Sequence, residues 1–362
     1  MSETAPPTVA PDGASADGAI GAKPLWAVAR VLLKGAALLT LTLASMLGVF
    51  LLVPESNDYA RASLRKHERL ARYEAPKIVL VGGSNLAFGI DSAMISRAIG
   101  CPVVNMGMNG YLGVRYMLEE VKRELNPSDL VVLAFEYDNF YKTVDGRPTD
   151  ILVVVKANPT AFTYLSFDQQ MDVLGSIPFA TQQKVLRLLE EATVWAKDGL
   201  MGRAAPEADE TTISAIETAS GFTPEGDLIS HLGVAWSEEL EDGIIPPDGA
   251  IDPQVIGLMQ AFGAQMQARG VDVMVSYTPI TRAFYEQHAA TLNEVHARIG
   301  RSPPLNTPST PEAFAYDESF FFDTVYHLNA EGRELRTQRL IEDMERHLQG
   351  DSMCTQTAHA GE

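Results

Sequence analysis

A serine flanked by glycine and asparagine is the first residue of this sequence that could do chemistry. Gly82, Gly83, Ser84 and Asn85 follow a short apolar run at residues 77–81. A serine at the tip of a strand exposes its hydroxyl, glycines permit a tight turn, and the amides that follow can face a developing oxyanion. Gly-Gly-Ser is also common turn punctuation. On this segment alone, a turn and a nucleophile are equally good interpretations.

An aspartate and a histidine near the end of the chain could complete such a site. Asp323 and His327 come just before the last segment with a helical pattern. A neutral imidazole beside a serine hydroxyl can accept its proton, and a nearby carboxylate fixes the tautomer and stabilises the imidazolium. The alternative is an ordinary loop in which Asn329 caps the final helix. Both interpretations can hold together because they use different residues.

Short apolar segments alternate with helical patterns along most of the chain. The predicted strands are residues 77–81, 102–105, 129–135 and 271–277. The predicted helices are residues 92–99, 112–125, 253–269, 281–299 and 330–348. This alternation predicts a three-layer α/β fold, with a parallel sheet covered by helices on both faces. Such sheets carry their sites at the carboxyl ends of the strands, where Ser84 would lie.

Residues 140–252 interrupt the alternation and are predicted to be an insertion that forms a cap over the strand ends. A helix is predicted at residues 182–196. Between residues 204 and 252 there are twelve Asp or Glu and no Lys or Arg. We expect a solvated face here, because these carboxylates do not cluster at the spacing of metal ligands. His231 is expected at the surface, and no metal site is predicted.

The N-terminal part predicts a membrane anchor. Residues 1–24 are rich in Ala, Pro, Gly and Ser and are predicted to be a disordered tail, as are residues 350–362. Residues 25–54 are predicted to cross a membrane, since residues 35–53 are uncharged and reach about 28 Å as a helix. A cleaved signal peptide is the alternative, although the apolar run is long for one. Residues 55–75 are predicted to be a charged juxtamembrane helix or stalk, and residues 76–349 the folded domain.

Charge and cysteine content exclude some classes of function. The net charge of −19 and the pI of about 4.8 disfavour nucleic acid as a partner. The two cysteines, Cys101 and Cys354, do not form a Cys-x-x-Cys motif and cannot make a zinc site alone. Cys101 opens an apolar segment and Cys354 lies in a polar tail, so a bridge between them is not predicted.

Together these segments resemble the SGNH (GDSL-like) hydrolase family, in their order and spacing over residues 77–348. The first block of that family places its serine after the first strand, as Ser84 is placed here. The second block offers a glycine amide after the second strand, which here is Gly107. The last block pairs Asp and His before the C-terminal helix, which matches Asp323 and His327.

The sequence departs from the family pattern in three places. Gly83 replaces the aspartate that usually precedes the serine. The third block, normally Gly-x-Asn-Asp, has Glu136 in place of the glycine, and Asn139 is the candidate for the oxyanion donor. The last Asp-to-His spacing is one residue longer. With these departures, the sequence resembles the membrane-anchored branch of the family. That branch includes the D-alanyl-transfer protein of teichoic acid synthesis and the alginate O-acetylation proteins.

The resemblance implies serine-dependent acyl-ester chemistry on an exported or cell-surface polysaccharide. Ser84 would be the nucleophile, His327 the base and then the acid, and Asp323 the residue that orients His327. The amides of Ser84 and Gly107, with the side chain of Asn139, would bind the oxyanion. The reaction needs no metal or cofactor, and the residue types do not separate an O-acetyltransferase from an esterase. A non-catalytic binding or assembly subunit that keeps the fold is the rival hypothesis.

The resemblance also implies a location and partners. It predicts a single-pass protein of the cytoplasmic (inner) membrane with a periplasmic domain, served by a membrane acyl-donor protein. The basic residues favour the opposite orientation, because five of them follow the apolar run and three precede it.

Asn109 after the second strand and Arg282 after the fourth are predicted substrate contacts. For a lone arginine such as Arg282, a structural ion pair is the more common role.

Overall fold

A computed structural model of the chain describes residues 23–55, 58–74, 76–141, 144–201, 213–235, 239–241, 243, 245, 250–349 and 353–354. The predicted disordered tails at residues 1–24 and 350–362 lie almost entirely outside the described residues. The strands are β1 (Ile78–Gly82), β2 (Val103–Asn105), β3 (Leu130–Ala134), β4 (Asp272–Val275), β5 (Ile280–Thr281) and β6 (Ala315–Tyr316). The α-helices are α1 (Lys23–Leu52), α2 (Ala62–Arg72), α3 (Ser84–Gly89), α4 (Ser92–Ile99), α5 (Val114–Glu119), α6 (Pro148–Ala157), α7 (Phe167–Gly175), α8 (Ile177–Met201), α9 (Ile213–Ile216), α10 (Pro253–Ala268), α11 (Arg282–Gly300) and α12 (Ala330–Leu348).

A four-stranded parallel sheet forms the centre, in the order β2-β1-β3-β4. Every residue of β1 is buried, and successive side chains point to opposite faces. Val79 and Val81 join the core on one face, where α5 and α10 also pack. Ile78 and Leu80 join the core on the other face, under α4 and α12. The predicted α/β class with a helix-covered parallel sheet is therefore confirmed, and all four predicted strands form.

One predicted helix is much shorter than expected. Residues 112–125 were predicted as helical, but α5 ends at Glu119. Side chains from other parts of the domain donate to the carbonyls of the segment that follows α5. Arg269 donates to the carbonyls of Lys122 and Leu125, and the buried Lys77 donates to that of Glu124.

Helix α1 is apolar and almost fully exposed, and it is long enough to cross a membrane. The segment after it, predicted as a juxtamembrane helix or stalk, forms α2 and packs on the domain. Ser63, Lys66 and Leu70 lie on its buried face. The ammonium group of Lys66 donates to the carbonyls of Asn105, Gly107 and Gly226, at 2.9, 2.6 and 2.6 Å. These internal partners explain why a charged segment is not a free stalk.

Most of the described part of the insertion does not cover the strand ends. Its helices α6 and α8 lie beside the end of α1 instead. The cations of Lys156, Lys184 and Arg187 donate to carbonyls of residues 50–54, where a helix end leaves acceptors without partners. Among the described residues of the insertion, Glu217, Glu241 and Gly243 reach the carboxyl edge of the sheet, and residues 225–227 lie against the end of β2.

A disulfide joins Cys101 to Cys354, with 5.4 Å between the Cα atoms. The sequence did not predict this bridge, because a polar tail gave no sign of its position. The bridge holds the C-terminal end of the described chain beside the residues that lead into β2.

Candidate active site

A pocket of about 220 Å³ opens at the carboxyl edge of the sheet. Ser84 reaches it from the end of β1, Asn109 from the loop after β2, and Glu136 from the loop after β3. His327, which precedes α12, lines the same pocket. The fold therefore brings together the serine and the histidine that lie at opposite ends of the domain sequence, as expected for a parallel sheet.

Ser84 is held by a tight turn between β1 and α3. Cβ atoms built on Gly82 and Gly83 would overlap the carbonyl of Ala134 and the carboxylate of Glu136, so neither position has room for a side chain. The hydroxyl of Ser84 donates to Oε1 of Glu136 at 2.9 Å. In this resting arrangement the proton of the candidate nucleophile therefore points to Glu136.

Asp323 and His327 form a buried pair. Nδ1 of His327 lies 2.7 Å from Oδ1 of Asp323, and the imidazole stacks on Phe88 at 3.9 Å between ring centroids. Burial opposes the charged imidazolium, but Asp323, followed by Glu136 and Glu217, outweighs burial and raises the pKa of His327. Nδ1 is thereby fixed toward Asp323, which leaves Nε2 as the ring nitrogen that can exchange a proton with a ligand.

Glu136 is the group that most directly controls Ser84. Its Oε1 atom also accepts from the backbone amide of Asn85 at 3.0 Å. The carboxylate fits between Gly83 and Gly110, and a Cβ atom at either glycine would overlap it. Glu136 was noted in the sequence only as a departure from the family pattern. Its position two residues after the end of β3 is the signal that could have identified it.

A buried arginine holds the backbone and side chain of Asn85, the residue that follows Ser84. Arg336 of α12 is 1% exposed and donates to the backbone carbonyl and to Oδ1 of Asn85. The side-chain amide of Asn85 donates to the carbonyl of Ala134 at 3.0 Å. Asn85 is therefore held between the cation of Arg336 and the carboxylate of Glu136, which fixes the backbone next to Ser84.

Two of the three predicted oxyanion donors have acceptors within the protein. The amide of Gly107 donates to Oδ1 of Asn105 at 2.9 Å. The side-chain amide of Asn139 donates to the carbonyl of Gly110 at 2.8 Å, although Asn139 does line the pocket. Of the predicted donors, the amide of Ser84 is the one at a helix start, where it has no intrahelical acceptor.

The two predicted substrate contacts lie in different places. Asn109 lines the pocket, with its side chain bonded to the amide of Tyr111 and to Asp150. Arg282 is exposed at the start of α11 and donates to the carbonyl of Ala315 at 2.6 Å. The structure places Arg282 outside the pocket lining, in a structural role.

Other pocket residues were not predicted from the sequence. Tyr59, which follows α1, lines the pocket and donates to the carbonyl of Met108 at 2.6 Å. Tyr326 donates to Asp138 at 2.8 Å. Glu217 belongs to the insertion, and burial raises the pKa of its carboxyl group. Nothing in the local sequence marks Tyr59 or Glu217, because only the fold brings them to the strand ends.

His231 was expected at the surface, but it is buried beside Phe88 and Phe322. Its Nε2 atom lies 3.0 Å from the carbonyl of Leu328, and burial lowers its pKa to about 4. His231 therefore supports the packing behind His327 as a neutral ring.

No model of a known protein family matches this chain, and no curated protein matches it either. The resemblance to SGNH hydrolases therefore rests on the sequence blocks alone. The geometry adds a serine hydroxyl, an imidazole with a bonded carboxylate and several further carboxylates in one pocket. This set of groups can carry out nucleophilic and acid–base chemistry.

Proposed function

We propose that this protein uses Ser84 for acyl-ester chemistry on an exported or cell-surface polysaccharide. The observation that carries the proposal is that Ser84 and His327 line one pocket at the carboxyl edge of the sheet, and that Asp323 is bonded to Nδ1 of His327 behind it. Hydroxyl, imidazole and carboxylate are the three groups that a serine acyltransferase or esterase needs.

The reaction would proceed in two steps. Ser84 Oγ transfers its proton to His327 as it bonds to the acyl carbon, and the ester oxygen leaves with that proton. A sugar hydroxyl or water then attacks the acyl-serine, gives its proton to His327, and Ser84 recovers its own. His327 suits this role because an imidazole ordinarily titrates closer to neutral pH than a carboxylate. Burial lowers the pKa of His327, but Asp323 outweighs burial and raises it. Before attack, the hydroxyl of Ser84 must turn away from Glu136.

The pocket lies close to the end of the proposed anchor. Tyr59 lines the pocket, and the chain from Leu52 to Tyr59 spans at most about 25 Å. An active site at this distance favours an acyl donor or acceptor held at the membrane surface, such as a membrane acyl-donor protein. The Cys101–Cys354 bridge supports a periplasmic domain, since disulfides persist in oxidising compartments.

A second candidate is a non-catalytic subunit that binds the polymer. Two observations favour it. The carboxylate of Glu136 contacts Ser84 directly, where a negative charge opposes an oxyanion. In addition, the amide of Gly107 and the side chain of Asn139 are bonded within the protein.

Labelling with a fluorophosphonate probe separates the two candidates. The full-length protein would be compared with Ser84→Ala and with Ser319→Ala, a matched change at an exposed serine outside the pocket. Acyl chemistry predicts labelling of the wild type and of Ser319→Ala, loss of labelling in Ser84→Ala, and unchanged unfolding in all three. In a strain carrying Ser84→Ala, the acetate content of the surface polymer should fall if the protein is an acetyltransferase and rise if it is an esterase. A folded wild type that is not labelled would favour the binding subunit.

A further inference from the structure

The pocket around Ser84 has an acidic lining. Its lining residues that carry a charge at neutral pH are Glu136, Asp138, Glu217 and Glu241. None of the described lining residues is a lysine or an arginine. Arg147 stacks on the ring of the lining residue Tyr111, but it is exposed and outside the lining, and Asp150 opposes its charge. A ligand that enters this pocket therefore meets a negative potential.

The carboxylates are spread around the pocket and do not form a metal site. Glu136 follows β3, whereas Glu217 and Glu241 belong to the insertion. Within the described part of the chain, no three His, Cys, Asp or Glu side chains converge as metal ligands do. Charges on separate walls suit an organic ligand with several polar groups better than a single metal ion.

Four side-chain donors of the pocket already have acceptors within the protein. The hydroxyls of Tyr59 and Tyr326 donate at 2.6 and 2.8 Å. The side-chain amides of Asn109 and Asn139 donate at 3.2 and 2.8 Å. By contrast, Nε2 of His327 has no hydrogen bond to a described residue, although His327 is only 8% exposed. The pocket thus offers mainly acceptors, and it fits a ligand rich in donors, such as hydroxyl and ammonium groups.

Glu217 is a half-buried carboxylate that is held in place without a partner. Its side chain makes no hydrogen bond or ion pair with the residues that the structure describes, and burial raises the pKa of its carboxyl group. The backbone is fixed on both sides of it. The carbonyl of the buried Ile216 accepts from Ser230 at 2.5 Å, and the amide of Ala219 donates to Asp58 at 2.8 Å. A cation on the ligand would stabilise the charged form of such a carboxylate.

The other carboxylates of the lining need a cation less. The buried Arg336 attracts Glu136, and Asp138 accepts from a tyrosine hydroxyl. Glu241 is exposed, so water and salt screen its charge. Glu217 is therefore the acidic group at which a positive charge on the ligand is stabilised most.

We propose that Glu217 binds the ammonium group of an amino sugar, so that the polysaccharide substrate of Ser84 contains sugars with a free amine and not uronic acids. The inference rests on the proposed function, because it assigns the substrate of the same pocket. An ammonium group supplies a charge and three donors, and the hydroxyls of the same sugar supply further donors. A uronic acid would place its carboxylate among like charges.

Binding of matched ligands to the full-length protein tests the proposal. Calorimetric titration, at a pH where the amine is protonated, would compare the methyl glycosides of glucosamine, glucose and glucuronic acid. Alaninamide and its neutral analogue isobutyramide would place the same charge on the acyl side instead. The variants are Glu217→Gln, which removes the charge and keeps the shape, and Glu334→Gln. The latter is a matched change at an exposed carboxylate of α12 outside the pocket.

The wild type and Glu334→Gln should bind the glucosamine compound about ten-fold more tightly than the glucose compound, and the glucuronic acid compound most weakly. Glu217→Gln should lose about five- to ten-fold in affinity for the glucosamine compound. Its affinity for the glucose compound should stay unchanged, which also shows that the variant is folded.

Three results would overturn the proposal. The first is equal affinity of the wild type for the glucosamine and glucose compounds, or binding of neither. The second is a preference for glucosamine that survives Glu217→Gln. The third is a preference for alaninamide over isobutyramide without one for glucosamine, which would place the ammonium group on the acyl side.

Fluorophosphonate labelling of the same samples reports the proposed function separately. Labelling of Ser84 without a glucosamine preference would refute the substrate class and keep the acyl chemistry. A glucosamine preference that depends on Glu217, in a folded protein that is not labelled, would support the binding of an amino sugar and refute the acyl chemistry.

Discussion

Replacing Glu136 by glutamine tests whether this carboxylate restrains Ser84 or accepts its proton. Glutamine keeps the shape and an acceptor oxygen for Ser84 and Asn85, but it removes the charge. A hydrogen bond to a charged group contributes about 1.5–3 kcal/mol, and one between neutral groups about 0.5–1.5 kcal/mol. The cost of turning Ser84 toward His327 should therefore fall by about 1 kcal/mol. Because 1.36 kcal/mol corresponds to a factor of ten, we expect fluorophosphonate labelling to become about five-fold faster.

The assay compares labelling rates of the wild type and Glu136→Gln. Glu241→Gln is the matched control, since it removes a carboxylate from the pocket lining and Glu241 is exposed. If Glu136 is itself the proton acceptor, its loss should slow labelling by about 10²–10⁴-fold, the usual contribution of a general base. That result would refute the assignment of His327 as base. Unfolding of the variant must be measured in parallel, because the buried Arg336 loses a nearby opposite charge.

Three further predictions concern the oriented imidazole, the packed helix after the anchor and the disulfide. Asp323→Asn should lower the pKa of His327, which Asp323 raises, so the rise of labelling rate with pH should move to lower pH. The labelling rate at the high-pH plateau should fall by about 10⁴-fold if Asp323 and His327 act as in known triads. An unchanged pH profile would exclude a role of Asp323 in orienting His327. Lys66→Met should lower the free energy of unfolding by about 2–4 kcal/mol, because three buried carbonyls lose their donor. Thermal unfolding measures this loss of stability, and an unchanged melting temperature would contradict the prediction. Cys101 and Cys354 should resist alkylation in intact cells unless a reductant is added, whereas free thiols would argue against a periplasmic domain.

The sheet could be predicted from the sequence because β1 and β3 are almost continuous runs of Val, Leu and Ile, and β2 and β4 each contain two valines. Such apolar runs are typical of strands buried on both faces. Each strand begins one residue after its predicted first residue. Ser84 could be predicted for the same reason, since it lies two residues after the end of β1. Glu136 follows the third run in the same way, and the rule that singled out Ser84 applies to it equally.

The donors around Ser84 could not be predicted, because a hydrogen-bonding partner depends on position in space. Gly107 has the place in the sequence that the family pattern requires, yet its amide is bonded to Asn105, two residues earlier. Asn139 likewise reaches the pocket but donates to Gly110. Sequence order fixes which loops meet at the edge of the sheet, and it does not fix which groups within them are already paired.

Charged segments were the least predictable part of the chain. A run of charges usually indicates a solvated face, and residues 55–75 are predicted to be a charged juxtamembrane helix or stalk. Lys66 in this segment instead donates to backbone carbonyls of the packed domain. Lys156 and Lys184 of the insertion likewise donate to backbone carbonyls, at the end of α1. Long lysine side chains can bury their stems and still satisfy the ammonium group, so composition alone does not separate the two cases.

The contacts of α2 make the membrane-proximal segment part of the candidate site. Lys66 holds the carbonyls of Asn105 and Gly107, which begin the loop after β2, and also the carbonyl of Gly226 in the insertion. Tyr59 donates to Met108 in the same loop and lines the pocket beside Ser84. The loop that presents Asn109 and Gly110 is therefore held by contacts with Tyr59 and Lys66, which lie in the segment that follows α1. Since the same segment continues from α1, the geometry of the pocket and the proposed attachment to a membrane depend on one short stretch of chain.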